Sequence, residues 1–325
     1  MFLDEADSEP AMAEYHGFQC DVTTHVKPAT TFWLCSRRSG LLRIRQSTEQ
    51  AIARRNGAGM TWIDVAPYCA VAIALLMLLT WAVSVVVSDA SLVDRVWGLG
   101  FSLTAVVAWF AAHRPVAFGP IAVMVCAVIW GVRLSAYLWW RNSGSGEDFR
   151  YQAMRRHHGK KFPLISLLTV FGVQAALMFV VSLPLQVAPL LTTAPAWIVV
   201  VGVVIWCIGF GFEAIGDAQL TRFKADPNNA GTVMNQGLWA WTRHPNYFGD
   251  ATLWWGMYIA GGLWGRWWWS AIGSLIMTIL VRRVSGVTLL EKSLKKRRAG
   301  YEEYIASTPA FFPRPPRRRE TSTRA

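Results

Sequence analysis

Long apolar runs separated by short polar segments fill the chain from residue 60 onward. A helix that crosses a bilayer needs about 17 to 25 predominantly apolar residues, and the longest four runs reach that length. Shorter runs continue the alternation. The pattern predicts an all-α, polytopic integral membrane protein with about seven transmembrane helices around a cytoplasmic-side cavity. The predicted spans are residues 66–88, 97–112, 116–140, 163–186, 195–216, 250–263 and 267–281.

Residues 1–60 differ from the rest because their charges are mixed and they show no apolar periodicity. We expect a poorly ordered N-terminal extension there, a membrane domain at residues 61–313 and a basic, disordered tail at residues 314–325. The arginines of the extension favour a cytoplasmic N-terminus, whereas the basic loop after the third span and the basic tail favour a cytoplasmic C-terminus and an outer N-terminus. One hypothesis removes this conflict: the native chain starts at Met60, which leads directly into the first span.

Composition narrows the expected partners. Hydrophobic residues make up 53% of the chain and 18 residues are Trp, as is typical of a membrane protein. We interpret the net charge of +12 as an excess of Lys and Arg in cytoplasmic loops, so nucleic acid is not expected. The expected partners are membrane lipids and a hydrophobic small molecule from the bilayer, with no obligatory protein partner. The five cysteines lack metal-ligand spacing, so we interpret them as buried thiols and expect no metal site.

The third span ends in a polar stripe. Arg133, Tyr137 and Arg141 recur at i, i+4 and i+8, so they share one face of the helix. A long side chain that extends to the membrane surface explains Arg141. Arg133 lies two turns deeper, where a charge is costly, and the pattern therefore favours an Arg133 that faces a pocket.

Acidic residues occur at two other membrane edges. Asp94 precedes the second span, where Asp94 and Arg95 can form an interfacial ion pair with Trp97 as an aromatic anchor, or contribute to a site. Glu213 and Asp217 lie one turn apart at the end of the fifth span. Two such carboxylates repel unless a cation or a hydroxyl-rich ligand lies between them, and Arg222 or Lys224 could supply that charge structurally.

Residues 237–256 concentrate polar groups at the entrance of an apolar, Trp-rich segment. A proline suits the first position of a helix and the residue before it is biased away from helix, so a helix is predicted to start at Pro245. Arg243 and the free N–H groups of the first turn would then form a phosphate site.

The same helix predicts a ligand-facing surface. Asn246, Asp250 and Trp254 fall at i, i+4 and i+8, and Gly249 beside them allows close approach. An amide, a carboxylate and an aromatic ring suit a ribose and a planar base. The chain has no dinucleotide or mononucleotide glycine motif, so a nucleotide would occupy a helical site.

These residues carry a resemblance. The stretch 237–256, Asp217 upstream and the Tyr-rich tail ending at Pro313 resemble the steroid 5-alpha-reductase C-terminal family. The chain is most similar to the bacterial membrane branch, which shares the Asp-x-x-Trp turn at residues 94–97, the Arg-Leu pair at Arg133 and the Glu-Asp-x-Arg-Tyr loop at residues 147–151. The resemblance covers about residues 60–313 and implies a multi-pass enzyme of the bacterial plasma membrane.

The resemblance implies an NADPH-dependent reductase that acts on a C=C bond of a steroid-like or isoprenoid lipid. The 5-alpha-reductases usually have Glu where this chain has Asp250, and Asp there is similar to sterol C14-type and C7-type reductases. Their Gln-Glu pair has no clear counterpart, so the candidate proton donors are Tyr137 and Asp94. The residues expected to bind NADPH are Asn246, Asp250, Asp217, Arg141, Arg243, Tyr247 and Trp254, and those expected to bind substrate are Arg133, Trp97 and Glu213.

Other functions stay open. Isoprenylcysteine carboxyl methyltransferases share the Arg-His-Pro-x-Tyr-x-Gly pattern at residues 243–249 and a similar tail, and they bind S-adenosylmethionine. Asn246, Asp250 and Asp217 favour the reductase. A non-enzymatic lipid-binding protein is the remaining alternative, although it does not explain polar residues within the membrane.

Overall fold

The computed structural model describes residues 60–284 and 300–316, all in helices and connecting turns. Helix α4 is continuous but includes 3-10 and π-helical turns. A short helix at Leu183–Val187 follows it, and a π-helical turn at Leu280–Val284 extends α7. The principal helices are α1 (Trp62–Val87), α2 (Leu92–Ala111), α3 (Phe118–Asn142), α4 (Phe149–Val181), α5 (Ala196–Ala225), α6 (Pro245–Gly261), α7 (Ala271–Ile279) and α8 (Tyr301–Ser307).

Helices α1 to α5 are each long and apolar enough to cross a membrane. They overlap the first five predicted spans, although α4 starts at Phe149 and not near residue 163. The prediction of an all-α, polytopic membrane protein is confirmed. The last two predicted spans are different: α6 has 17 residues, and α7 has 9 residues between a 3-10 segment and a π-helical turn. Neither is among the described helices that are long and apolar enough to cross a membrane, and the 17 residues of α6 only reach the lower limit of spanning length.

Some predictions concern residues that the structure does not describe. The extension up to residue 59, and with it the Met60 start, lies outside the described residues, as do most of the predicted tail and Cys20 and Cys35. Among the described cysteines, Cys69 and Cys126 are buried as expected. Cys207 is exposed on α5, so the prediction of a buried thiol was wrong there.

Glycines bring pairs of helices into backbone contact. Gly98 of α2 and Gly131 of α3 face each other so closely that a Cβ on either would overlap the carbonyl oxygen of the other. On α5, Gly209 faces Gly249 of α6, and a Cβ at Gly209 would lie 2.6 Å from the Gly249 carbonyl oxygen. Small residues permit this approach between membrane helices, where dispersion and polar contacts drive association.

An aromatic core links these helix pairs. The rings of Phe101 on α2, Trp130 on α3 and Trp254 on α6 are fully buried. Their centroids lie 4.8 Å (Phe101 to Trp254) and 5.4 Å (Trp130 to Trp254) apart. Helix α6 is therefore held inside the helix bundle, and the polar residues of its first turns are fixed against α3 and α5.

Because the connections are short, successive helices run in opposite directions. Every second connection therefore lies at the same end of the bundle. The turn after α1 meets the loop after α3, where the Ala90 N–H donates to the Glu147 carboxylate at 2.9 Å. The end of α5 meets the start of α6 at the same end, which we call the site end. At the opposite end, Arg266 donates to the Met60 carbonyl at 3.3 Å.

Candidate functional site

A buried ion network joins α3 to α5 near the site end. Arg133 donates to Glu213 at 2.7 Å and to Asp217 at 2.6 Å. The carboxylate side chains are only 5% and 7% exposed. Arg133 of α3 is therefore the cation between them, where the sequence suggested Arg222 or Lys224 of α5. The charge comes from a neighbouring helix, which helical spacing along α5 alone does not reveal.

Trp130 completes the environment of Glu213. Its indole N–H donates to the second carboxylate oxygen at 2.8 Å, so each oxygen of Glu213 accepts one hydrogen bond. Trp130 and Arg133 lie three residues apart and share a face of α3. Burial of a carboxylate is costly unless it is paired and hydrogen-bonded, and these contacts meet that requirement.

Helix α6 adds acceptors to the same network. The Asn246 amide donates to Asp217 at 3.1 Å, and Asp250 follows one turn later. One side-chain oxygen of Asn246 and one of Asp250 are buried and lie beyond hydrogen-bond distance of any donor among the described residues, and the indole N–H of Trp254, one turn after Asp250, is likewise unpartnered there. An unmade hydrogen bond of this kind costs about 1–3 kcal/mol. The two oxygens are therefore suited to a ligand that donates hydrogen bonds.

A pocket of about 360 Å³ lies between α3 and α5 beside this network. Within it, the hydroxyl groups of Tyr137 and Thr221 are 3.2 Å apart. The guanidinium groups of Arg133 and Arg141 lie 5.3 Å and 5.5 Å from the centre of the Tyr137 ring. The lining residues are Arg133, Tyr137, Trp140, Ala214, Asp217, Ala218, Thr221 and Arg222.

Asp94 belongs to a separate cluster at the site end. It accepts hydrogen bonds from Tyr151 at 3.0 Å and from Arg150 at 2.9 Å. Arg95 pairs with Asp89 at 3.0 Å instead of with Asp94, so the predicted Asp94–Arg95 ion pair is not formed. The structure thus puts the two candidate proton donors in different surroundings, with Tyr137 in the pocket and Asp94 bound to the first turn of α4.

The loop between α3 and α4 is bound to its neighbours at several points. Arg155 pairs with Glu147 through two hydrogen bonds of 2.9 Å and 2.7 Å, and the Asp148 N–H donates to Ser91 at 2.7 Å. Burial raises the pKa of Asp148, but hydrogen bonds from Arg150 and the charges of Arg150 and Arg141 outweigh it, so the pKa lies below its usual value. Arg141 therefore acts on this loop as well as on the Tyr137 ring.

Arg243 forms hydrogen bonds to the C-terminal segment. Its guanidinium group donates to the carbonyl groups of Ile305 and Thr308, and its backbone N–H donates to Pro309 at 2.9 Å. Helix α6 does begin at Pro245, as predicted. The Arg243 side chain, however, holds residues 305–309 instead of lying free at that helix start, so we do not retain it as a phosphate ligand.

Three aromatic candidates take different positions. Trp254 is fully buried among other rings, so it belongs to the core instead of forming a ligand-facing wall. Tyr247 stacks on His244 with ring centroids 5.5 Å apart. Trp97 is partly buried against the core, where it packs on Phe101 in an edge-to-face contact at 5.2 Å, and it does not line the pocket.

The structure also brings in residues that sequence reasoning did not assign to the site. Trp130, Thr221 and Arg222 contact the network or line the pocket, and Tyr151 binds Asp94. Helical spacing was the available signal: Trp130 lies one turn before Arg133, and Thr221 one turn after Asp217.

The fold and the buried ion network define an all-α, multi-pass membrane protein with a polar site at one end of its helices. The chain belongs to the family described as a protein of unknown function, DUF1295, whose model matches residues 80–308. It is similar to an uncharacterised protein of Schizosaccharomyces pombe, with 26% identity over 271 residues that cover 72% of this chain and 75% of the yeast protein. No solved structure matches the chain.

Proposed function

We propose that the protein is an NADPH-dependent reductase of a C=C bond in a hydrophobic steroid-like or isoprenoid lipid. The observation that carries the proposal is the pair of buried, unpartnered oxygens on Asn246 and Asp250 beside Asp217. The carboxamide and ribose hydroxyls of NADPH are hydrogen-bond donors and match such acceptors. The resemblance of this stretch to the steroid 5-alpha-reductase C-terminal family supports the same cofactor.

NADPH, when bound, supplies the hydride that reduces one carbon of the double bond. Asn246, Asp250 and Asp217 orient the cofactor from α6 and α5, and Arg141, exposed at the end of α3, attracts its phosphate groups. Arg133 keeps Glu213 and Asp217 fixed through its two ion pairs. The contribution of these residues is to hold two reactants in a productive geometry.

Tyr137 is the proton donor in this proposal. Its hydroxyl lies in the pocket and contacts Thr221 at 3.2 Å. The proton passes to the second carbon of the double bond or to a conjugated carbonyl oxygen, and the neighbouring Arg133 and Arg141 stabilise the charge left on Tyr137. Asp94 is the less suitable donor because Tyr151 and Arg150 already occupy its oxygens.

The distribution of charge supports a cytoplasmic site end. Among the described residues, the opposite end carries only Arg114 and Arg266 as Lys or Arg. Cytoplasmic loops of membrane proteins are enriched in Lys and Arg, so the cofactor would reach the site from the cytoplasm and the C-terminus would lie on that side. The basic residues of the site end are Arg95, Arg141, Arg150, Arg155, Arg156, Lys160, Lys161, Arg222, Lys224, Arg243, Arg282, Arg283 and Arg314.

One observation favours a second candidate, a methyltransferase that uses S-adenosylmethionine. The site holds three carboxylates, Glu213, Asp217 and Asp250, whereas the one cation that forms ion pairs with them among the described residues is Arg133, which pairs with Glu213 and Asp217. An excess of carboxylates suits a cationic ligand, and the sulfonium and amino groups of S-adenosylmethionine are positive. The resemblance of residues 243–249 to membrane methyltransferases points in the same direction.

Substitution of Asn246 tests the reductase directly. Asn246→Ala removes an acceptor for the cofactor but leaves Asp217 its ion pair with Arg133, so we expect loss of NADPH affinity by about tenfold or more with an unchanged melting temperature. Asn228→Ala is the matched control, because Asn228 is exposed in the loop after α5. The measurement is calorimetric titration of the purified protein with NADPH. Equal affinity in the wild-type and Asn246→Ala proteins would refute the assignment.

A further inference from the structure

The pocket between α3 and α5 opens to the side of the helix bundle. Its lining includes Ala218, which is exposed, and Trp140, whose side chain is 63% exposed. Deeper along the same helices, exposed apolar residues continue from the pocket toward the centre of the spans. These residues are Ile129 and Val132 on α3 and Ile208 and Ile215 on α5. The pocket mouth therefore faces the region that lipid chains occupy.

Helical spacing arranges these residues as two continuous stripes. The stripe on α3 consists of residues 129, 132, 136 and 140, which are three or four residues apart. The stripe on α5 consists of residues 208, 215, 218 and 222, which are one or two helical turns apart. Each stripe is apolar over most of its length. Each ends at the site end in a residue suited to the membrane surface, Trp140 on α3 and Arg222 on α5.

Arg222 gives the pocket mouth a positive charge, and no acidic residue within residues 60–284 and 300–316 forms an ion pair with it. Arg222 lines the pocket and is exposed. Asp217, at the inner wall, lies about 7.5 Å deeper along α5 at about 1.5 Å per residue. Its carboxylate is already paired with Arg133. An anion at the mouth would therefore meet Arg222 first.

We propose that this pocket receives an anionic phospholipid from the cytoplasmic leaflet. Its phosphate group lies at Arg222, and one of its chains follows the apolar stripes of α3 and α5. The glycerol region then reaches Thr221, whose hydroxyl group can bond to an ester or hydroxyl oxygen, and the Tyr137 hydroxyl stays available as the proton donor.

The substrate class follows from this site and rests on the proposed function. A neutral steroid would leave Arg222 without a counter-ion, whereas a lipid with a phosphate headgroup provides one. The reductase would thus act on an anionic amphiphile that enters laterally, while NADPH enters from the cytoplasm toward Asn246 and Asp250. The two ligands would meet across Asp217, which lines the pocket and binds Asn246.

Native mass spectrometry of the purified protein in a neutral detergent tests the proposal. Phosphatidylglycerol is titrated against phosphatidylcholine, and glycerol 3-phosphate serves as the soluble anion. We expect phosphatidylglycerol to bind more tightly than either. Arg222→Gln should reduce that preference by about fivefold, the effect typical of one basic residue near a membrane surface. Arg283→Gln is the matched control, because Arg283 is exposed at the site end and does not line the pocket.

A second variant separates pocket occupancy from surface charge. Ala218→Trp fills the mouth without changing any charge, and we expect it to weaken phosphatidylglycerol binding while Arg222 is still present. Unchanged lipid binding in both Arg222→Gln and Ala218→Trp would overturn the proposal. Equal Arg222-dependent binding of glycerol 3-phosphate would also overturn it, because the site would then take a soluble anion.

NADPH titration of the same proteins distinguishes this inference from the proposed function. If Arg222→Gln lowers NADPH affinity and leaves lipid binding unchanged, Arg222 belongs to the cofactor and the lipid proposal fails. If the wild-type protein does not bind NADPH but retains Arg222-dependent lipid binding, the reductase fails and the lipid site stands.

Discussion

At the scale of single residues, Arg133 compensates the negative charge of two buried carboxylates in the site. Its side chain forms ion pairs with both Glu213 and Asp217. Removal of one partner from a buried ion pair leaves the other charge uncompensated, which costs about 3–5 kcal/mol. Arg133 therefore has a larger structural role than the exposed basic residues at the same end.

We predict that Arg133→Met lowers the free energy of unfolding by about 3 kcal/mol or more. Additional Glu213→Gln and Asp217→Asn substitutions should recover most of the loss, because they remove the uncompensated charges. Unfolding in mixed detergent micelles measures the change, and Arg283→Met is the exposed control. A loss of equal size in the control, or no recovery in the triple variant, would contradict the role given to Arg133.

The sequence predicted individual site residues better than their contacts. The stripe on α3 and the close pair of carboxylates on α5 follow from helical spacing. Their pairing could not be predicted, because Arg133 is separated from Glu213 by 80 residues and from Asp217 by 84 residues along the chain. For the same reason, the interaction of Arg243 with the C-terminal segment and the burial of Trp254 emerged only from the structure.

At the scale of elements, the α5–α6 pair fixes the geometry of the site. Gly209 and Gly249 let the two backbones touch, and this contact holds Asn246 beside Asp217. Hydropathy located both α5 and α6. It did not distinguish the short, buried α6 from a lipid-exposed span such as α5, because the residues of both helices are predominantly apolar. The start of α6 was predictable because Pro245 constrains the backbone locally.

A methyl group at Gly209 should separate α5 from α6. We predict that Gly209→Ala lowers stability by about 1–3 kcal/mol, the usual cost of overpacking, and weakens NADPH binding because Asn246 moves away from Asp217. Gly211→Ala is the control on the same helix, since a Cβ there meets no atom within 4 Å. Thermal unfolding and cofactor titration measure both effects. Equal behaviour of the two variants would show that close packing at Gly209 does not position the site.

At the scale of the whole molecule, the proposal explains why basic residues gather at one end of the bundle while the pocket opens at its side. Each opening serves a different ligand of the same polar network. In our proposal, the basic site end faces the cytoplasm and the pocket that lies between α3 and α5 faces the bilayer. A water-soluble cofactor and a membrane lipid can then reach Asp217 from different sides. The overall class, an all-α membrane protein, was predictable from the alternation of apolar and polar segments, because a bilayer requires every spanning segment to satisfy its own backbone hydrogen bonds.

The most direct test of the central claim is parallel calorimetric titration of the purified protein with NADPH and S-adenosylmethionine. We predict that NADPH binds, with a dissociation constant in the range of about 1 μM to 1 mM that is usual for enzyme ligands, and that S-adenosylmethionine does not. Binding of S-adenosylmethionine without binding of NADPH would contradict the reductase and favour the methyltransferase.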